Sequence, residues 1–169
     1  MRRMLISLDP RRAALVMLAI AAAMLLTVYA MQHLGGLEPC PLCVWQRYPW
    51  FVILGIGLLT PAVGRDGGRM LLAAMGAALV VGAGIAGYHV GVEQLWWEGS
   101  STCIGGDGGA APTSLAELRE LAMRAPAPRC DVPAWTLFGI SLTGYNLLAS
   151  LALAALCFTR AALPGGPRR

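Results

Sequence analysis

Four long runs without a charged residue constrain the fold of this chain more than any other feature. They cover residues 13–31, 48–64, 70–92 and 132–159. About 20 apolar residues span the hydrocarbon core of a bilayer as an α-helix, and about 17 is the lower limit. Since lipid offers the backbone no hydrogen-bond partners, each run is expected to be a helix rather than a strand. The sequence therefore predicts an all-α, polytopic membrane protein, a four-transmembrane-helix bundle forming one membrane domain over residues 1–169.

The lengths of the second and fourth runs indicate where their helices begin. The second run is short for a span, so its helix is expected to begin upstream of Tyr48. The fourth is longer than a span needs, so its helix is expected near Gly139, after a connection that contains Pro133 and Trp135. The predicted helices are about 13–31, 45–64, 70–90 and 138–158, with outer loops at about 32–46 and 91–137.

The distribution of arginine predicts the orientation of the bundle, since all 13 basic residues are arginines. With both termini in the cytoplasm, nine arginines lie inside and four outside, in agreement with the positive-inside rule. In a bacterium this describes a multi-pass protein of the inner membrane with both outer loops in the periplasm. The net charge of +4 then needs no nucleic acid to explain it.

A cleaved signal peptide is the alternative for the first run, because residues 28–30 loosely fit a small-residue cleavage site. The run is longer than a usual signal-peptide core, and three more spans follow it, which favours a retained helix. Cleavage would leave the cysteines on the same side of the membrane.

Four of the five cysteines fall in the predicted outer loops, where disulfides persist if the compartment is the periplasm. Cys40 and Cys43 lie in the first loop, and Cys103 and Cys130 lie in the second. Four cysteines allow three pairings, of which Cys40–Cys43 with Cys103–Cys130 is the simplest. Cys157 lies inside the fourth span and is expected to pack as a small apolar residue.

The Cys40-Pro41-Leu42-Cys43 segment lies where the second helix is expected to begin. A helix N-terminus favours a thiolate, and Arg47 follows Cys43 by four residues, so its guanidinium can add to that effect. A lone arginine at a bilayer edge can equally be a snorkelling side chain. Pro49 leaves two alternatives open: it opens the helix, or the helix starts near Leu42 and kinks.

The second outer loop contains a predicted short amphipathic helix. Ser114 is a plausible N-cap with Glu117 three residues later, and Leu115, Leu118, Leu121 and Ala122 share one face. This helix is expected either to lie in the membrane interface or to pack on the outer end of the bundle. A Cys103–Cys130 disulfide would close a loop of roughly 25 residues around it.

His89 and Glu93 form a third polar cluster, at the outer end of the third span. They are four residues apart, so they can share a helix face, and an ionisable residue at this depth is a functional candidate. A histidine held by a hydrogen bond at the interface is the plainer interpretation. Trp96 and Trp97 beside them are typical of an aromatic belt.

Four ordered motifs resemble the DsbB family of bacterial disulfide-bond formation proteins. They are Glu-Pro-Cys-Pro-Leu-Cys-x-x-Gln-Arg from Glu38, Tyr-His-x-Gly-Val-Glu from Tyr88, Trp97-Glu98-Gly99 ahead of Cys103, and Arg129-Cys130-Asp131 followed by Trp135 and Gly139-Ile140-Ser141. The similarity runs in order from about Ala13 to Cys157. The departures are Ser100, where the resemblance leads us to expect proline, and a glycine-rich insert after Cys103.

The resemblance implies a membrane thiol oxidase that supports disulfide formation in exported proteins. A reduced DsbA-like periplasmic protein would attack a Cys103–Cys130 disulfide at Cys103, and Cys130 would then exchange with Cys40–Cys43. Cys43, assisted by Arg47, would pass two electrons to ubiquinone or menaquinone from the membrane quinone pool. His89 and Glu93 are expected at the quinone site, and no metal is expected.

Three rival interpretations remain from the residues themselves. Four thiolates suit zinc, so Cys40, Cys43, Cys103 and Cys130 could form a metal site. The second pair lacks close spacing and an oxidising compartment favours disulfides, which argues against this. An enzyme of the vitamin K epoxide reductase type has a similar bundle and thiol pair, but the Pro-Cys-Pro context argues against it. A purely structural bundle would tolerate Cys43→Ser.

Overall fold

Four membrane-length helical segments make up most of the structure. The computed structural model describes residues 9–100, 103, 114–116, 119 and 128–163. In this part of the chain, the segments long and apolar enough to cross a membrane are Pro10–His33, Pro41–Ala62, Arg65–Glu93 and Leu142–Ala162. The chain is therefore an all-α, multi-pass membrane protein, which confirms the predicted fold class. The short helix predicted from Ser114 falls mostly outside the described residues.

The second membrane segment is divided, so the described elements are five helices and one pair of strands. They are α1 (Pro10–His33), α2 (Pro41–Trp45), α3 (Arg47–Leu58), α4 (Arg65–Glu93), β1 (Thr136–Leu137), β2 (Ile140–Ser141) and α5 (Leu142–Ala162). A single 3-10 turn, Thr60–Ala62, follows α3. The two strands pair antiparallel and form a hairpin directly before α5.

Capping residues set the helix ends, which therefore extend beyond several of the apolar runs. Asp9 caps α1, where its carboxylate accepts from the Arg11 N–H at 3.2 Å, and it also pairs with Arg65 at the start of α4 at 3.1 Å. Ser141 caps α5, where its hydroxyl accepts from the Gly144 N–H at 3.0 Å. Because the hairpin occupies the preceding residues, α5 begins at Leu142.

The second segment begins at Pro41 and breaks at Gln46, between α2 and α3. Pro49 has no N–H to donate to the carbonyl of Trp45 four residues earlier, and its ring crowds that carbonyl. Pro49 therefore does not open the helix. The helix starts near Leu42, as the second alternative predicted, and is interrupted before Pro49. Pro49 itself packs on α4, where a Cβ on Gly82 would lie 3.2 Å from its ring.

The core lies between α1, α3, α4 and α5, and α4 shares its largest interface with α5. Ile53, Leu72, Met75 and Leu79 are fully buried there. Gly76 lets the two helices approach, since a Cβ on it would lie 3.2 Å from the Cβ of Cys157. Cys157 is buried in this core.

Candidate active site

The four outer cysteines come together at one end of the bundle. Cys40, Cys103 and Cys130 are buried, and they pack with Leu42 and Val92 in a cluster that the partly buried Cys43 joins. The backbone N–H of Cys130 donates to the carbonyl oxygen of Cys103 at 3.0 Å. The two cysteine pairs, far apart in sequence, therefore share one buried site. All five cysteines are free thiols in the structure, and the disulfide pairing stays a prediction.

Cys40 and Cys43 are held together by the start of α2. Cys40 is the N-cap, and its sulfur accepts from the backbone N–H of Cys43 at 3.2 Å. The Cys40 thiol donates to the Cys43 sulfur across 2.8 Å. Cys43 is thus the acceptor of the pair, which is the role a thiolate takes.

Hydrogen bonding and burial keep Cys40 and Cys130 protonated. The hydrogen bond to Cys43 raises the pKa of the Cys40 thiol, and burial raises it further. Burial, with a hydrogen bond to Cys103, raises the pKa of Cys130 from 9.0 to about 12. Both groups are therefore poor nucleophiles in this arrangement and need a change of partner before they react.

Arg47 contacts α1 rather than the sulfur of Cys43. Its guanidinium donates to Oε1 of Gln32 at 2.8 Å, and its Cζ lies 4.8 Å from the centre of the Tyr29 ring. The predicted assistance to Cys43 is thus not among its described hydrogen bonds. Arg47 and Cys43 nevertheless line the same cavity. The sequence pattern did not indicate a role for Gln32, which lies 15 residues before Arg47 in the sequence.

His89 is buried on α4 and touches both cysteine pairs. Its Nε2 lies 3.6 Å from the sulfur of Cys40 and 3.1 Å from the carbonyl oxygen of Cys130. Its Nδ1 lies 2.7 Å from Nε2 of Gln46 and 3.2 Å from the hydroxyl of Thr143. One imidazole therefore connects α2, α4, α5 and the segment around Cys130.

Glu93 lies one turn beyond His89 on the same face of α4, as their spacing predicts. Its Oε1 is 3.8 Å from Nε2 of His89. The hydroxyl of Ser141 donates to its other carboxylate oxygen at 2.5 Å. The side chain of Glu93 is only 3% exposed, so these contacts replace water around a buried carboxyl group.

Three members of this polar network, Gln46, Trp50 and Asn146, were not predicted as site residues, although Gln46 belongs to the first family motif. Asn146 on α5 donates to Oε1 of Gln46 at 2.7 Å and accepts from the indole N–H of Trp50 at 3.1 Å. Burying an amide side chain in a membrane span costs free energy unless it is hydrogen-bonded. The presence of Asn146 in an apolar run was therefore the sequence signal that could have indicated a buried polar network.

A cavity of about 790 Å³ adjoins this network. Met24, Leu25 and Val28 of α1 supply part of its apolar wall, while Cys43 and Arg47 are among its polar lining residues. His89 and Glu93 also line it. The ligand atoms of Cys40, Cys43 and His89 all lie within 4.8 Å of one another, a spacing that a metal ion could use. The cavity therefore has an apolar wall next to the Cys40 and Cys43 thiols.

The fold and the site together define a multi-pass membrane protein with a buried four-thiol centre at one end. The family model described as disulfide bond formation protein DsbB matches residues 10–159. The chain belongs to the DsbB family, which confirms the resemblance of its four motifs. Membership gives the coarse function, disulfide bond formation by a disulfide oxidoreductase.

Individual relatives cover most of the chain at modest identity. Disulfide bond formation protein B of Stutzerimonas stutzeri is 29% identical over 86% of this chain and 91% of its own length. Disulfide bond formation protein B 1 of Pseudomonas aeruginosa is 29% identical over 85% of this chain and 90% of its own. An uncharacterized protein of Rickettsia prowazekii is 28% identical over 82% and 80%. No solved structure matches the chain.

Proposed function

We propose that this protein is a thiol oxidase that reoxidises a DsbA-like dithiol protein of the periplasm and passes the electrons to a membrane quinone. The observation that carries the proposal is the meeting of four cysteines beside an apolar cavity at one end of the bundle. A family of disulfide oxidoreductases needs both an entry and an exit for electrons. In this arrangement the second outer loop provides the entry and the cavity provides the exit.

The entry step is thiol–disulfide exchange at Cys103 and Cys130. A thiolate of the partner attacks the sulfur of Cys103, the Cys103–Cys130 bond breaks, and its electron pair goes to Cys130. The second thiolate of the partner then releases Cys103 and leaves the partner oxidised. Two electrons and two protons have moved from the partner to this pair.

The internal step is exchange between Cys130 and a Cys40–Cys43 disulfide. Cys130 forms a bond to the sulfur of Cys40, the Cys40–Cys43 bond breaks, and the electron pair goes to Cys43. The surroundings of Cys130 support this step, because hydrogen bonds with Cys103 and with Cys40 both affect the pKa of its thiol. Attack by Cys103 on the mixed bond then restores the Cys103–Cys130 disulfide and leaves Cys40 and Cys43 reduced.

The residues around the cavity fit an isoprenoid quinone, either ubiquinone or menaquinone. Apolar side chains of α1 suit the ring and tail, and Arg47, His89 and Glu93 are the polar residues proposed to line the ring site. A bound quinone supplies an acceptor for two electrons and two protons. DsbA-type proteins are strong oxidants at about −120 mV, so a glutathione pool could not serve as the acceptor.

The proposed location is the bacterial inner membrane, with both termini cytoplasmic and the four cysteines periplasmic. Arg65 and Arg69 mark the opposite end of the bundle from the thiols, as the positive-inside rule requires of a cytoplasmic end. Trp45 and Trp96 are exposed near the thiol end, which is typical of a membrane–water interface. The proposed partners of the exposed surface are the lipid bilayer and the periplasmic dithiol protein, and no nucleic acid is among them.

The test is quinone reduction by a reduced thioredoxin-fold dithiol protein, with this protein purified in detergent. Cys40→Ser and Cys103→Ser should abolish turnover, whereas Cys157→Ser, a matched cysteine change in the core, should keep it. Unchanged turnover in either of the first two variants would contradict the relay.

A metal site is the second candidate, favoured by the close approach of Cys40, Cys43 and His89. Thiol titration combined with metal analysis of the purified protein separates the two. A stoichiometric metal lost on oxidation would support the metal site, whereas freely titrating thiols without bound metal support the oxidase.

A further inference from the structure

A continuous hydrogen-bonded chain runs through the bundle from Trp50 to His89. The indole Nε1 of Trp50 lies 3.1 Å from Oδ1 of Asn146, and Nδ2 of Asn146 lies 2.7 Å from Oε1 of Gln46. Nε2 of Gln46 then lies 2.7 Å from Nδ1 of His89. Gln46 and His89 are 6% and 2% exposed, so the bond between these two side chains is largely shielded from water.

The two ends of this chain determine the direction of every bond in it. The indole N–H of Trp50 can only donate, so the side-chain oxygen of Asn146 must face it. The amide NH₂ of Asn146 then faces the oxygen of Gln46, and the NH₂ of Gln46 faces His89. A second anchor agrees, because Nε2 of Gln46 also lies 3.4 Å from the carbonyl oxygen of Leu42, which can only accept.

The imidazole of His89 therefore has donors on one side and acceptors on the other. Nδ1 receives the N–H of Gln46, and the hydroxyl of Thr143 at 3.2 Å can donate to it as well. Nε2 faces the carbonyl oxygen of Cys130 at 3.1 Å and the sulfur of Cys40 at 3.6 Å. The carboxylate of Glu93 lies on the same side, at 3.8 Å from Nε2. Only a proton on Nε2 satisfies this arrangement.

We propose that Trp50, Asn146 and Gln46 are positioning residues that hold His89 in its Nε2–H tautomer, with the N–H facing the carbonyl oxygen of Cys130 and the sulfur of Cys40. The role rests on the proposed function, because it concerns the same thiol pair. When Cys40 leaves the mixed disulfide in the proposed internal step, His89 stabilises the negative charge on its sulfur by donating a hydrogen bond, and it keeps its own proton. With Nε2 protonated, His89 serves neither as a base toward Cys40 nor as a metal ligand through that nitrogen.

The small number of histidines in the protein makes the tautomer measurable. The protein has two histidines, so histidine-selective ¹⁵N labelling of the full-length protein gives two ring systems, and His33→Gln leaves His89 alone. Long-range ¹H–¹⁵N correlation spectra distinguish a protonated ring nitrogen from an unprotonated one. The wild-type protein in detergent should show His89 with Nε2 protonated and Nδ1 unprotonated. Protonation at Nδ1, or two equal tautomers, would overturn the proposal.

Substitutions in the hydrogen-bonded chain test the donor-to-acceptor direction of its bonds. Gln46→Glu places an acceptor at Nδ1 and should move the proton signal there. Trp50→Phe removes the anchoring donor and should give a mixture of tautomers, whereas Trp45→Phe, at a 60% exposed indole of α2, should leave the wild-type spectrum. An unchanged tautomer in both Gln46→Glu and Trp50→Phe would contradict the positioning role.

The measurement uses neither quinone nor partner protein, so its result is independent of the oxidase assay. If the tautomer is as proposed but no quinone is reduced, the proposed function fails and the hydrogen-bonded chain stands. If turnover is normal but His89 is protonated at Nδ1, the inference about positioning fails alone.

Discussion

The imidazole Nε2 of His89 lies 3.6 Å from the sulfur of Cys40, although 49 residues separate the two in sequence. The same nitrogen lies 3.1 Å from the carbonyl oxygen of Cys130. One buried side chain of α4 therefore contacts both proposed halves of the thiol relay. A change in the pairing of the cysteines must alter the surroundings of His89, which makes this histidine a natural reporter of the redox state.

Arg47→Ala is expected to raise the KM for quinone by about tenfold or more. A hydrogen bond to a charged group contributes ~1.5–3 kcal/mol, and about 1.4 kcal/mol corresponds to a tenfold change in affinity. Arg47→Lys keeps the charge but loses the planar fork that bonds to Gln32 and stacks on Tyr29, so an intermediate KM is expected. Steady-state kinetics with varied quinone measure both, and a wild-type KM in Arg47→Ala would remove this residue from the proposed site.

Alkylation of Cys130 in the reduced protein is expected to be slow at pH 7 and to speed up steadily with pH. Burial raises the pKa of this thiol to about 12, and only the thiolate reacts. The rate should therefore rise about tenfold per pH unit between about pH 7 and pH 10 without a plateau. Iodoacetamide labelling followed by peptide mass spectrometry gives the rate, and a plateau near pH 9 would show an ordinary exposed thiol.

Gly91→Ala is expected to destabilise the outer end of α4. A Cβ at Gly91 would lie 1.9 Å from the ring of Trp97, so the indole must leave its place and lose its hydrogen bond to the carbonyl oxygen of Tyr88. Overpacking in a core costs about 1–3 kcal/mol, and the lower end is expected here because Trp97 is 45% exposed and can move. Gly84→Ala, on the same helix with no atom within 4 Å of the new Cβ, is the matched control. Thermal unfolding in detergent should show a lower Tm for the first variant only.

Ser141→Ala is expected to lower stability through two bonds at once. The hydroxyl of Ser141 accepts from the Gly144 N–H as the N-cap of α5 and donates to the carboxylate of Glu93. Loss of an N-cap costs about 0.5–2 kcal/mol, and the buried carboxylate loses a partner as well. Ser141→Thr keeps both functions and should stay near the wild-type Tm. Equal Tm values for Ser141→Ala and the wild type would show that neither bond contributes.

The sequence predicts the parts of this protein that depend on local pattern. Four apolar runs indicate four helices because lipid leaves the backbone few alternatives, and the i, i+4 spacing of His89 and Glu93 places them on one face. Helix ends are less accessible from the apolar runs, because caps such as Asp9 and Cys40 lie outside them.

The tertiary contacts of the site could not be predicted from local sequence pattern. The contact between Gln46 and Asn146 joins residues 100 apart, and Arg47 reaches Gln32 across a helix interface. Such contacts depend on how α1, α3, α4 and α5 pack. The motif that contains Gln46 marks that residue as part of the family pattern, but only the packed structure supplies its partners.

A stoichiometric anaerobic titration tests whether electrons pass from a partner dithiol through two cysteine pairs to a quinone. Reduced partner is added to the purified protein with excess quinone, and quinol and partner disulfide are both measured. We expect one quinol for each partner disulfide, no quinol in Cys43→Ser, and the wild-type yield in Cys157→Ser. Partner oxidation without quinol, or quinol formation that survives Cys43→Ser, would contradict this pathway.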